Sequence, residues 1–167
     1  MFTPKRTAFI VASMSAAALV ALVQDEGYTS HTIVPVAGDR PTNGFGSTFD
    51  EKGKPIKMGD TVTPQKALKR VLIHSNNDKS FLDKCVTGPV SQSEVDGLLD
   101  FSYQYGSATT CKSSMVREIN AGNYVASCEG YLKYKFVAKR DCSVRSNGCY
   151  GVWTRAQERT KTCLAAQ

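Results

Sequence analysis

All six cysteines of this 167-residue chain, Cys85, Cys111, Cys128, Cys142, Cys149 and Cys163, fall in its second half. Their number is even and none shows the Cys-x-x-Cys spacing of a zinc site, so in an oxidising compartment they pair as disulfides. Cross-links would then tie residues 85–163 into one body. Six cysteines allow fifteen connectivities, and the sequence offers a local argument for one pair alone. Cys142 and Cys149 flank a short loop whose Asn147 and Gly148 supply a turn.

The compartment is set by the other end of the chain. Residues 7–23 read TAFIVASMSAAALVALV, with Lys5 and Arg6 before them and Asp25 and Glu26 after. The basic end therefore stays cytoplasmic while the acidic end crosses the inner membrane. The stretch is near the lower limit of about 17 residues for a span, and six alanines, two serines and a threonine weaken it. Phe9, Ile10, Val11, Leu19, Val20, Leu22 and Val23 contribute about −0.3 to −0.6 kcal/mol each, a few kcal/mol in all. Residues 1–24 are therefore expected to insert as a weak anchor, to leave the bilayer, and then to pack as a helix against a folded domain of residues 25–167. An ordinary signal peptide competes, because Ala16, Ala17 and Ala18 form a small-x-small cleavage site.

The net charge of +6 suits an anionic partner such as a wall polymer or a phospholipid surface. With no Arg-rich run, zinc-finger spacing or RNP-like strand, nucleic acid is not an expected partner. His31 and His74 lack partners at metal-ligand spacing, so neither metal nor cofactor is expected. One compact core, without linker or repeat, predicts a monomer.

Along the domain, residues 32–36 and 42–45 read as strands of a β-hairpin around a turn at residues 37–41, and residues 55–58 as a further edge strand. Thr63 and Pro64 start a helix that the Asn76-Asn77-Asp78 run should end. Ser91 and Glu94 form a capping box for a helix stopped by Gly106. Three more helices are expected at residues 114–120, 124–136 and 152–164.

Several stretches in this order resemble the phage-type lysozymes of glycoside hydrolase family 24. They are Glu26-Gly27-Tyr28 after a helix, Thr42 to Gly46 (TNGFG), Phe101 to Gly106 (FSYQYG), Cys111 to Met115 (CKSSM), Ile119 to Tyr124 (INAGNY) and Gly151 to Arg159 (GVWTRAQER). The weak span before them is similar to that of the signal-anchor-release endolysins. The resemblance implies an α+β fold, with a small hairpin lobe, a larger helical lobe and a cleft between them. It also implies hydrolysis of the β-1,4 bond between N-acetylmuramic acid and N-acetylglucosamine in peptidoglycan, leading to host lysis. The enzyme would be held inactive at the inner membrane, N-terminus in, until release into the periplasm.

Carried over by residue, Glu26 matches the general acid and Thr42 the threonine that helps to place the attacking water. Tyr103 and Ser114 match cleft-lining positions, and Arg155 is a further substrate-binding candidate beside Glu158. The sequence departs from the family spacing Glu-x8-Asp-x5-Thr: Pro35 stands at the aspartate's place and the nearest carboxylate is Asp39. Asp39 is the candidate base, with Asp50 an outside alternative. A usual Gly-His-Thr is Gly46-Ser47-Thr48 here. Gly44 and Gly46 suit close backbone approach in the hairpin.

Glycoside hydrolysis needs a protonated acid at the leaving oxygen and a group that activates water or stabilises the oxocarbenium-like transition state. A lytic transglycosylase needs Glu26 alone, because the muramic acid 6-hydroxyl replaces water. A non-catalytic wall-binding or membrane-disturbing protein needs neither carboxylate.

Overall fold

Thr7 and Ala8, at the head of the apolar stretch, are extended rather than helical. The computed structural model describes residues 5–35 and 38–167, and its contacts separate into two units, residues 5–13 with 78–167 and residues 14–77.

In the first unit, β1 (Thr7–Ala8) pairs antiparallel with β4 (Pro89–Val90), Thr7 opposite Val90 and Ala8 opposite Pro89. A 3-10 turn follows at Phe9–Val11. Phe9 is buried, while Ile10 and Val11 are exposed. The expected continuous helix over residues 7–23 is thus corrected. Long-range partners hold its first half: the Lys79 ammonium donates to the Ile10 carbonyl at 3.1 Å and the Gln92 side chain to the Ser13 carbonyl at 2.8 Å. Among the described residues, no helix is long and apolar enough to cross a membrane.

The body of this unit is helical: α3 (Gln92–Tyr105), α4 (Ser107–Cys111), α5 (Ser114–Asn120), α6 (Tyr124–Gly130) and α7 (Tyr150–Ala165). Ser91 caps α3, accepting from the Glu94 N–H at 3.4 Å, and Glu94 accepts in return from the Ser91 N–H at 2.7 Å. Val95, Leu98, Leu99, Phe101, Met115, Val116, Ile119 and Tyr131 make the core. The helix expected over residues 124–136 stops at Gly130. A 3-10 turn at Tyr131–Lys133 leads into the hairpin β5 (Phe136–Val137) and β6 (Arg140–Asp141), where cross-strand pairing replaces helical bonds.

Disulfides join Cys85 to Cys111, Cys128 to Cys163 and Cys142 to Cys149. Loop-closure entropy assigns about 4 kcal/mol to the bond spanning 35 residues and about 2 kcal/mol to the one spanning seven.

In the second unit, α1 (Ala16–Glu26) begins where Ser15 accepts from the Ala18 N–H at 3.1 Å. It ends at Gly27, whose φ of +67° turns the chain out of the helix. The hairpin is β2 (Thr29–Ile33) against β3 (Thr42–Gly44), with Thr29 opposite Gly44 and Ile33 opposite Thr42. The first strand ends three residues earlier than expected, just before Val34 and Pro35; proline has no N–H for the ladder. Val36 and Ala37, in the expected strand end and turn, lie outside the described residues. Of the expected edge strand, a single bridge between Phe49 and Pro55 forms.

Helix α2 (Pro64–Leu82) contributes to both units. Its Ala67 and Val71 are buried in the second. It runs through Asn76 to Asp78, which the sequence marked as a break, because tertiary bonds outweigh local preference: Asp78 is buried and accepts from the Ser107 hydroxyl.

Two outcomes follow. Arg6 donates to the fully buried Glu94 carboxylate at 2.9 Å, so Arg6→Ala leaves that charge unpaired and lowers stability by about 3 kcal/mol in urea unfolding. Asp141 is pulled down to about 2 by the Lys135 ammonium first and by Ser143 next. It therefore stabilises the fold above its unfolded value of about 4 and loses that contribution as pH falls toward 2. Asp141→Asn should flatten the stability profile measured across that window.

Candidate active site

Glu26 is the last residue of α1 and is half-buried. The reversal at Gly27 leads into Tyr28, whose hydroxyl donates to the Val62 carbonyl at 2.6 Å and whose ring lies 5.6 Å from that of Phe45. The helix end is thereby fixed over the turn that follows β3. In that turn Asn43 and Ser47 exchange two backbone hydrogen bonds, at 3.2 and 3.1 Å, and carry Gly44, Phe45 and Gly46 between them.

Both glycines are required by geometry. Gly44 has φ +66°, and a Cβ there would stand 2.8 Å from the Ala67 Cβ, against α2. Gly46 has φ +74°, and a Cβ there would stand 3.3 Å from Oε2 of Glu26. The carboxylate thus lies against a bare stretch of backbone that a side chain would crowd.

Thr42 opens β3, half-buried, two residues ahead of Gly44. Asp39 stands on the exposed turn between the strands. Asp50 closes its own loop, accepting from the backbone N–H groups of Lys52 and Lys54 at 2.8 and 2.9 Å. The Lys54 N–H is the main reason its carboxyl lies below the usual range.

Beneath the turn runs a buried polar chain that sequence patterning did not reveal. Thr32 donates to the Asp60 carbonyl at 2.9 Å and accepts from the Asn43 amide at 3.0 Å. Arg70 donates to Asn43 Oδ1 at 2.6 Å and pairs with Glu51 at 3.2 Å. Asn43 is wholly buried and Arg70 nearly so. One signal was present: Arg70 sits three residues after Ala67 and one before Val71, on the apolar stripe of α2 rather than its solvated face.

The other candidates belong to the first unit. Tyr103 is half-buried on α3 and Arg155 half-buried on α7. Ser114 opens α5, with its hydroxyl 3.0 Å from where a Cβ on Gly130 would stand. The adjacent Ser113 is the cap of that helix, accepting from the Val116 N–H at 3.3 Å. On α7, Arg159 donates to Asp100 and lies 5.7 Å from the Phe101 ring. Burial raises the Tyr105 hydroxyl above its ordinary value, with Arg159 and Arg155 opposing. Among the described residues, no cluster of three or more His, Cys, Asp or Glu side chains has the makings of a metal site.

The chain is similar to known proteins in sequence and in fold. Over 113 residues the chain is 30% identical to a protein of Escherichia phage 933W named SAR-endolysin, a match covering 66% of this chain and 64% of that protein's own length. A probable prophage lysozyme of Escherichia coli K12 is 28% identical over 164 residues, covering 93% of this chain and 89% of the relative. The solved endolysin of Escherichia coli O157:H7 phage FAHEc1 superposes with a TM-score of 0.79 at 25% identity, covering 94% of this chain and 96% of that one. Residues 23–157, from the last turn of α1 through the first half of α7, match the phage lysozyme family. With Glu26 on its glycine turn inside that span, and a lysozyme-like α+β fold of helices and small hairpins, the chain belongs to the phage lysozyme family.

Proposed function

We propose that the chain is an endolysin, a muramidase that hydrolyses the β-1,4 bond between N-acetylmuramic acid and N-acetylglucosamine, with Glu26 as general acid. The observation that carries this reading is the Glu26 carboxylate lying against Gly46 inside the family-matching span. A helix end holds the acid, and a turn fixed by Asn43, Arg70 and Ser47 leaves room for a sugar beside it. Thr42, in the strand that enters this turn, orients water, and Asp39 is the second carboxylate. Tyr103, Ser114 and Arg155 bind the glycan.

The exposed position of Asp39, and Pro35 at the family's aspartate place, favour one second reading: a transglycosylase acting through Glu26 alone. The products separate the two, because hydrolysis leaves reducing muramic ends and transglycosylation leaves anhydro ends.

Regulation by tethering belongs to the same proposal. Residues 7–23 hold the enzyme at the inner membrane, N-terminus in, and release frees it into the periplasm as a monomer. The relatives' name supports this, as do Ile10, Val11 and Val20, apolar side chains exposed in the folded chain. While that stretch is in the bilayer, β1 cannot pair with β4, and α1 cannot present Glu26 from its folded position.

Turbidity loss of purified peptidoglycan, with mass analysis of the fragments, tests the reading. Glu26→Gln should lower the rate by about a thousandfold, the scale of a lost general acid. Asp39→Asn should also be impaired, with reducing ends from the wild type. Full activity of Glu26→Gln sinks the enzymatic reading, and full activity of Asp39→Asn with anhydro products selects the transglycosylase. Gly46→Ala, which adds strain at positive φ and crowds the acid, should lower kcat by about tenfold or more. A membrane-held form should release no fragments until the N-terminal segment leaves the bilayer.

A further inference from the structure

The second unit has a small core. Among the described residues its buried apolar side chains are Leu22, Ile56, Val62, Ala67 and Val71. A guanidinium shares that interior: Arg70 lies three positions after Ala67 on the same helix face, and its side chain is 8% exposed. One terminal nitrogen of Arg70 donates to Asn43 Oδ1 at 2.6 Å and the other pairs with Glu51 at 3.2 Å. Its Nε is buried and finds no hydrogen-bond partner among the described residues.

Stability does not account for this arrangement. A cation removed from water with one donor unmet costs free energy. Apolar side chains of similar volume would fill the same space with no donor to satisfy, and replacements of that kind are commonly neutral or stabilising. The reason for a buried Arg70 is therefore sought in what its bonds hold.

They hold Asn43, a wholly buried residue fixed through both its backbone and its side chain. The backbone exchanges hydrogen bonds with Ser47 at 3.2 and 3.1 Å; the side chain accepts from Arg70 and donates to the Thr32 hydroxyl at 3.0 Å. Within the turn so closed, Gly44 packs so tightly on α2 that a Cβ would stand 2.8 Å from that of Ala67, and Gly46 lies against Oε2 of Glu26. Helix α2 thus fixes the turn twice, by contact at Ala67 and by a directed bond at Arg70. Contact sets how near the turn can come; the directed bond sets its orientation.

We propose that Arg70 and Asn43 are positioning residues for the reaction at Glu26, with Glu51 orienting Arg70 from its other side. The assignment deepens the muramidase reading and rests on it. Arg70 and Asn43 lie beneath the turn and act through the backbone at Gly46, which limits where the acid can stand. A shift there is felt at the leaving oxygen in the transition state more than in binding of the glycan, so its loss appears in kcat.

The test replaces the pair together, Asn43→Leu with Arg70→Met, which keeps apolar bulk and removes the polar groups of both. No charge is stranded, because Glu51 is 22% exposed and the Thr32 hydroxyl keeps the Asp60 carbonyl. Urea unfolding should show the double variant at least as stable as the parent chain. On purified peptidoglycan its kcat per folded molecule should still fall by about tenfold or more, with KM changed by no more than about twofold. Glu51→Ala should lower kcat by about threefold, and Glu51→Gln, which still accepts from Arg70, should recover most of that loss. Parental kcat in a stable double variant, or a loss of kcat that only follows loss of the fold, overturns the proposal; so does equal kcat in Glu51→Ala and Glu51→Gln. The muramidase reading fails separately: a fully active Glu26→Gln chain sinks it, whereas an inactive Glu26→Gln beside a fully active double variant removes the positioning role alone.

Discussion

Glu94 is where the helical unit is tied together. One carboxylate oxygen accepts from the Ser91 N–H and completes the cap of α3; the other accepts from Arg6 at 2.9 Å and from the Gln167 side chain at 3.2 Å. Arg6 also lies 3.5 Å from the Tyr124 ring centre, and Gln167 donates to the Cys163 carbonyl at 3.0 Å, beside the Cys128–Cys163 bond. One buried anion thus gathers the start of the chain, its last residue and the first turn of its central helix. A buried carboxylate is tolerable only while its partners stay in place. The docking of β1 on β4 and the burial of Phe9 depend on the same partners.

The second unit has a counterpart built from neutral and charged groups. Thr32, Asn43 and Arg70 form a buried chain from the hairpin to α2, which the half-buried Glu51 extends to the loop at residues 50–54. Polar groups buried in this way cost free energy unless they are hydrogen-bonded, and the bonds made here favour one arrangement over its neighbours, although Nε of Arg70 is left without a partner among the described residues. Here the arrangement selected is the turn whose bare backbone faces Glu26. The rigidity is placed where a few tenths of an ångström at Gly46 decide how much room the acid has.

What was legible in the sequence was local. The capping box at Ser91 and Glu94, the start at Pro64, the span Ser114–Asn120 and the stop at Gly106 each depend on side chains within four residues of the backbone groups they satisfy. They appear in the structure at the expected places. The failures share the opposite cause. The Asn-Asn-Asp run reads as a break but stays helical, because Asp78 finds Ser107 twenty-nine residues away. Residues 7–13 read as α-helix but form a short strand and a 3-10 turn, because their partners are at Lys79, Pro89, Val90 and Gln92. Arg70 reads as a solvated charge until Asn43 is brought to it.

The sequence by itself determined the family, since ordered short motifs survive in the one-dimensional record. It also determined that Glu26 follows a helix and precedes a glycine-bearing hairpin, and that six cysteines occupy the second half. The tertiary structure alone decided that Cys85 pairs with Cys111 and Cys128 with Cys163, that the apolar N-terminal stretch is divided between a strand, a turn and a helix, and that Oε2 of Glu26 comes to Gly46. The reason is range. Capping, turn chemistry and periodicity act over a few residues and are written in the order of the letters. Disulfide partners, buried ion pairs and the space left beside a glycine depend on which distant segments share the same ångströms, which only the folded chain fixes.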